Sequence, residues 1–113
     1  MRFVASRPDH PLGRWPLAVV VVHGPSMVPA LRHGDALLVR RVRTARPGDV
    51  VVVRFPGQPG LFVKRAVRPV GGGWWVLGDN RHGSDDSRRY GAAEIVGRVV
   101  LRYWPEPARV HSR

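Results

Sequence analysis

The chain has 113 residues, of which 43% are hydrophobic and 24% charged, a composition typical of one globular domain. It contains no cysteine, which excludes disulfide scaffolds, thiolate metal sites, iron–sulfur clusters and a cysteine nucleophile. The net charge of +11 would suit an anionic partner, but 18 of the 19 basic residues are arginines, so we interpret it as a solvated basic surface without obligatory nucleic acid.

Along the chain, apolar runs of strand length alternate with turns rich in glycine and proline, and no stretch longer than about ten residues has helical periodicity. Residues 1–14 are expected to form a flexible N-terminal arm and residues 106–113 a polar tail. Between them, strands are predicted at residues 17–22, 36–42, 50–55, 61–68, 74–77 and 95–103. The pattern predicts a single, compact, mainly β domain over residues 15–105.

The longest apolar run covers residues 15–22 and contains a proline. A helix that spans a bilayer needs about 20 apolar residues, and a signal peptide needs a basic start and a small-residue cleavage site. We therefore expect no transmembrane segment and a cytoplasmic location.

Lys64 is the only lysine in the chain. Side chains alternate between the two faces of a strand, so Lys64 shares a face with Phe62 and Ala66, while Arg65 points the other way. One interpretation is a lysine that extends to solvent from a strand end. The other is a buried amine, whose pKa burial would lower and which an arginine could not replace.

Two further segments carry polar groups that could perform chemistry. Ser26 lies in a turn between Pro25 and Pro29, where it either forms the turn or presents its hydroxyl at a strand edge. Residues 78–88 form a dense polar loop that could bind a cation, form a buried ion-paired turn or remain exposed.

Taken in order, these segments resemble the successive motifs of signal peptidase I, a family of β-rich endopeptidases with a serine–lysine dyad. The resemblance covers about residues 22–105. The motifs that carry it are Ser26-Met27-x-Pro29-x-Leu31, Gly34-Asp35, Val63-Lys64-Arg65, and Gly78-Asp79-Asn80 followed by Ser84, Asp86, Ser87 and Arg88.

The resemblance implies that Ser26 is the nucleophile, Lys64 the general base, and Ser84 the residue that orients the lysine amine. It also implies that the backbone N–H of Ser26 contributes to the oxyanion hole. Some family members have a further hydroxyl donor two residues before the nucleophile, but this chain has Gly24 there, and Pro25 has no N–H to donate.

In the polar loop, the resemblance implies a structural ion pair between Asp86 and Arg88 and assigns Asp79 and Asn80 to the framework of the loop. The carboxylates of Asp79, Asp85 and Asp86 alone would also suit Ca²⁺, but the ligand order of a calcium loop is missing. We predict no metal and no cofactor.

Only residues 69–77 separate the lysine strand from the Gly78 motif, where membrane-bound signal peptidases usually carry an extra domain. This minimal form most resembles the nickel-type superoxide dismutase maturation proteases. The implied partner is a precursor with an N-terminal pro-segment, and the oligomeric state is open.

Three alternatives remain at this point. The first is a signal peptidase that acts on exported precursors without an anchor of its own. The second is a self-cleaving regulator of the LexA type, although no Ala-Gly or Cys-Gly dipeptide precedes Ser26. The third is a basic nucleic-acid-binding domain with a relict active site. A serine–histidine–aspartate triad is a weaker account, because His23 is the only histidine close to Ser26 in sequence and should project from the opposite side of the strand.

Overall fold

The computed structural model describes the backbone of residues 2–3 and all of residues 16–80 and 85–110. In these ranges the chain forms one antiparallel sheet and a single helical turn. The elements are β1 (Arg2–Phe3), β2 (Leu17–Val21), β3 (Ala36–Arg40), β4 (Val50–Arg54), β5 (Leu61–Val70), β6 (Gly73–Leu77), α1 (Ser87–Tyr90), β7 (Glu94–Trp104) and β8 (Ala108–Arg109). The prediction of a compact, mainly β domain is confirmed.

The strand order in the sheet is β1-β5-β4-β7-β3-β2, with β6 also paired to β5 and β8 to β7. Each of the six predicted strands is present, with ends shifted by a few residues. The structure adds β1 within the predicted arm, β8 within the predicted tail, and α1. The rest of residues 1–14 lies outside the described part of the chain.

The central strand β4 shows why the sheet is buried on both faces. Val50 and Val52 belong to one apolar cluster, whereas Val51 and Val53 belong to a second cluster on the other side. A continuous run of four valines is the pattern expected for a strand covered on both faces. The sheet therefore supports two cores, and residues 50–53 of β4 and 61–66 of its neighbour β5 are buried whichever way they point.

No helix in the described ranges is long and apolar enough to cross a bilayer.

Candidate active site

Ser26 lies in a turn that follows β2 and is fixed by its apolar neighbours. Met27 and Leu31 are fully buried in the first core cluster, and the Leu31 N–H donates to the Met27 carbonyl at 2.9 Å. Gly24, at φ +85°, provides the left-handed backbone that starts the turn. These anchors hold the Ser26 side chain in a buried position, with 3% of the residue exposed.

Lys64 projects from the middle of β5 and has no exposed surface. Its strand partner is Val51 on β4, and its amine lies 5.9 Å from the centre of the Phe62 ring. Phe62, Ala66 and Val51 all belong to the second core cluster. Of the two interpretations drawn from the sequence, the structure therefore shows the buried amine.

The structure brings these two residues together although 38 positions separate them. Lys64 Nζ donates a hydrogen bond to Ser26 Oγ at 3.0 Å. Burial lowers the pKa of Lys64 below its usual value, and the charges of Asp86 and Asp85 oppose this only in part. A neutral amine at this distance can accept the serine proton, because the same contact then runs in the opposite direction, from hydroxyl to nitrogen.

The segment 78–80 connects β5 to the Ser26 turn. Asp79 accepts hydrogen bonds from Arg65, at 3.2 Å from Nε and 2.6 Å from Nη2, and both side chains are almost fully buried. Arg65 Nη1 also donates to the Gly48 carbonyl at 3.0 Å. The next residue, Asn80, donates to the backbone of the Ser26 turn. Asp79 and Asn80 therefore join neighbouring parts of the site, beyond the framework role that the sequence implied.

Asp86 organises the far side of the loop. Its carboxylate accepts from the backbone N–H of Gly78 at 3.0 Å and of Arg88 at 3.1 Å, and the second of these bonds caps α1. It also pairs with the Arg88 guanidinium at 2.9 Å. Burial opposes ionisation of Asp86, but the hydrogen bonds from Arg88 and from the Gly78 N–H hold the pKa of this carboxyl below its usual value.

The predicted lysine-orienting residue, Ser84, lies outside the described residues. The three carboxylates considered for a cation each face an arginine: Asp79 pairs with Arg65, Asp85 with Arg89 and Asp86 with Arg88. In residues 16–80 and 85–110 we find no cluster of three or more metal-ligating side chains.

The sequence analysis missed the roles of Arg65 and Ser87. Arg65 is buried and holds Asp79, and Ser87 is buried with its hydroxyl accepting from the Val76 N–H at 2.9 Å. A signal for Arg65 existed, since it alternates with apolar residues in a strand whose hairpin partner leads directly into Asp79. Ser87 belongs to the motif that carries the family resemblance, but no strand pattern predicts its burial or its bond to Val76.

His23 and His33 lie beside the Ser26 turn and contact each other there. Their rings meet edge to face at 5.4 Å, and His33 Nδ1 accepts a hydrogen bond from the Gly24 N–H at 3.1 Å. Their contacts serve the shape of the turn.

The matches to known proteins all indicate one class of protein, the peptidases. The sequence matches the family model described as Peptidase S24-like over residues 12–100. Mitochondrial inner membrane protease subunit 1 of Xenopus tropicalis is 34% identical, over 77% of this chain and 69% of that protein. Mitochondrial ATP-independent inner membrane protease subunit 1a of Arabidopsis thaliana is 31% identical, over 85% and 76%. The signal peptidase complex catalytic subunit sec11 of Pyrenophora tritici-repentis is 36% identical, over 75% and 57%.

Proposed function

Because this chain belongs to the Peptidase S24-like family, we propose that it is a serine endopeptidase with Ser26 as nucleophile and Lys64 as general base. The observation that carries the proposal is the buried 3.0 Å contact between Lys64 Nζ and Ser26 Oγ. A serine hydroxyl is a weak nucleophile until a base removes its proton, and a desolvated lysine is such a base.

In the first half of the reaction, the neutral Lys64 amine takes the proton of the Ser26 hydroxyl while Oγ bonds to the scissile carbonyl carbon. The carbonyl π electrons move to its oxygen, which the Ser26 N–H stabilises. When the C–N bond breaks, the proton on Lys64 passes to the departing nitrogen. The products of this half are a free amino terminus and an ester of Ser26.

In the second half, Lys64 is again neutral and removes a proton from a water molecule. The water oxygen attacks the ester carbonyl, and the proton returns from Lys64 to Ser26 Oγ as the ester bond breaks. The carboxylate product leaves, and both residues regain their initial state. Ser84, as the residue that orients the amine, belongs to this proposal.

The substrate we propose is a precursor protein that loses an N-terminal extension. The names of the relatives, which are proteases of an inner membrane and a signal peptidase subunit, support precursor processing as the class of activity. The specific substrate, a nickel-type superoxide dismutase precursor in the cytoplasm, rests on the resemblance of the motifs described above. Exported precursors are the second candidate, which the signal peptidase relative favours.

The test is mass spectrometry of each candidate precursor, expressed with the wild-type chain, with Ser26→Ala, or alone. We expect a shortened precursor with the wild type only. Thr44→Ala is the matched control, since it removes an exposed hydroxyl from the loop between β3 and β4 and should leave processing intact. Ser26→Ala should lower the free energy of unfolding by about 1–3 kcal/mol, because it removes the hydroxyl that accepts from the buried Lys64 amine.

Three outcomes would redirect the proposal. Processing by Ser26→Ala would remove the nucleophile from the mechanism. Cleavage of exported precursors alone would favour the signal peptidase function over the maturation protease. Fragmentation of the purified chain on its own, without any precursor, would favour the self-cleaving regulator.

A further inference from the structure

Asn80 binds both carbonyl groups that flank the proposed nucleophile. Its side-chain Nδ2 donates to the Pro25 carbonyl at 3.1 Å, and its backbone N–H donates to the Ser26 carbonyl at 2.7 Å. We propose that Asn80 is a positioning residue that sets the direction of the Ser26 N–H in the oxyanion hole. The inference rests on the proposed function, in which that N–H stabilises the reacting carbonyl oxygen.

The planarity of the peptide bond makes this possible. The Pro25–Ser26 bond is trans, so the Pro25 carbonyl and the Ser26 N–H lie in one plane and point in opposite directions. The proline ring fixes φ of Pro25, and the remaining freedom of the plane is rotation about ψ of the same residue. A hydrogen bond to the Pro25 carbonyl restrains that rotation and therefore the direction of the Ser26 N–H.

The second bond of Asn80 acts on the next peptide plane. The Ser26 carbonyl shares its plane with the Met27 N–H, so both planes that meet at the Ser26 Cα are held by one residue. Since the Ser26 side chain also starts at this Cα, the direction of Oγ and the direction of the N–H are restrained together.

Asn80 is itself held on a rigid support. Its neighbour Asp79 forms the buried ion pair with Arg65, and Arg65 directly follows Lys64 on β5. Contacts therefore run in a closed circuit from Lys64 through Arg65, Asp79 and Asn80 to Ser26 and back to the lysine amine. The base and the oxyanion donor are therefore both positioned relative to the same strand, β5.

The composition of the turn increases the need for this restraint. Gly24 has no side-chain donor and its N–H donates to His33, and Pro25 has no N–H. Within residues 24–26 the proposed backbone donor is therefore the Ser26 N–H. A donor aids the reaction only when it points to the position that the oxyanion will occupy. A rotation of the Pro25–Ser26 plane would weaken this stabilisation without moving the lysine.

The experiment compares the full-length wild type with Asn80→Ala and, as a matched loss of an amide side chain, Gln58→Ala in the loop between β4 and β5. The kinetic probe is a peptide spanning the cleavage site found in the processed precursor. For Asn80→Ala we expect kcat to fall about 10- to 100-fold, less than the roughly 10²–10³-fold loss on deleting a donor. KM and the midpoint of the pH–rate profile should stay at wild-type values, because Lys64 is untouched.

A structural readout accompanies the kinetics. The ¹⁵N–¹H residual dipolar coupling of Ser26 reports the direction of its N–H bond, and Asn80→Ala should change it while couplings along β5 and in Gln58→Ala stay constant. Wild-type kcat in Asn80→Ala, or an unchanged Ser26 coupling, would overturn the inference. A shifted pH midpoint would overturn it too, since Asn80 would then act through Lys64.

Measurements on the wild type, Ser26→Ala and Asn80→Ala together distinguish a failure of this inference from a failure of the proposed function. If the wild type processes no precursor, or Ser26→Ala still does, the proposed function fails. The dipolar coupling then still decides whether Asn80 directs the peptide plane.

Discussion

At the scale of single residues, the position of Lys64 is unusual because a cation occupies a fully buried strand site. The chain uses arginine at its 18 other basic positions. A guanidinium stays protonated at any working pH, whereas a buried amine can lose its proton, so only lysine can act as a base there. Under the proposed mechanism, this difference accounts for a lysine at this one position.

The first prediction concerns this base. The cleavage rate of the wild type should rise with pH through one apparent pKa below the usual lysine value and then level off, because burial lowers the pKa of Lys64. Lys64→Arg retains the charge but cannot accept a proton, so its activity should be as low as that of Lys64→Ala. Precursor cleavage, followed by mass spectrometry over a range of pH, measures both effects.

Arg68→Lys is a control for the exchange of one cation type for the other, since Arg68 lies on the exposed end of the same strand, β5. It should leave the pH–rate profile unchanged. Substantial turnover by Lys64→Arg would show that a positive charge is sufficient, and the base mechanism would have to be abandoned.

The sequence predicted the surroundings of Lys64 better than those of Arg65. Alternation along a strand was enough to place Phe62 and Ala66 beside the lysine, and both lie in the same core cluster. For Arg65, alternation predicts only that the side chain points to the opposite face of the strand. It does not predict whether that face is covered. Here the face is covered, and Arg65 is buried against Asp79.

At the scale of elements, apolar runs predicted the six longer strands because each is long enough to show a pattern. The two-residue strands β1 and β8 and the four-residue α1 are too short for a hydrophobic period to repeat. These elements form through partners distant in sequence or through a cap. For α1 the cap is Asp86, whose carboxylate accepts from the Arg88 N–H.

The second prediction concerns Asp86 as the organiser of α1 and the preceding loop. Its carboxylate is buried, but its partner Arg88 is half-exposed, so Asp86→Ala leaves the guanidinium in water and buries no unpaired charge. The loss consists of the cap and of the acceptor for the Gly78 N–H. We expect the free energy of unfolding to fall by about 1–3 kcal/mol, measured by denaturant titration.

Asp85→Ala is the neighbouring control, because Asp85 pairs with Arg89 on the exposed surface. Surface pairs of this kind contribute little, so its unfolding midpoint should remain near that of the wild type. Equal midpoints for Asp85→Ala and Asp86→Ala would show that the loop is not held by the Asp86 carboxylate.

At the scale of the whole molecule, the site is made by contacts that no local pattern contains. Ser26 meets Lys64 across 38 positions and Pro25 meets Asn80 across 55. Residue periodicity predicts the strands, but the order β5-β4-β7-β3-β2 that brings β2 and β5 into one domain depends on long-range pairing. The resemblance to a family predicted which residues belong together, and the fold supplies the distances.

The last prediction links the lysine to the stability of the entire domain. Burial lowers the pKa of Lys64 in the folded state, whereas in the unfolded chain the amine has a pKa of about 10.4. Between these two values the unfolded chain binds one more proton than the folded chain, so the free energy of unfolding rises with pH. The free-energy penalty for a buried ammonium is full below the pKa of the folded state and disappears as pH approaches the pKa of the unfolded chain.

Lys64→Met removes this linkage, so the melting temperature of the wild type should increase relative to that of Lys64→Met as pH rises from neutral toward 10. The difference between the two curves isolates the contribution of Lys64, because the two proteins differ only at this residue. Parallel melting curves over that range, measured by scanning calorimetry, would show that the amine is not desolvated in the folded state.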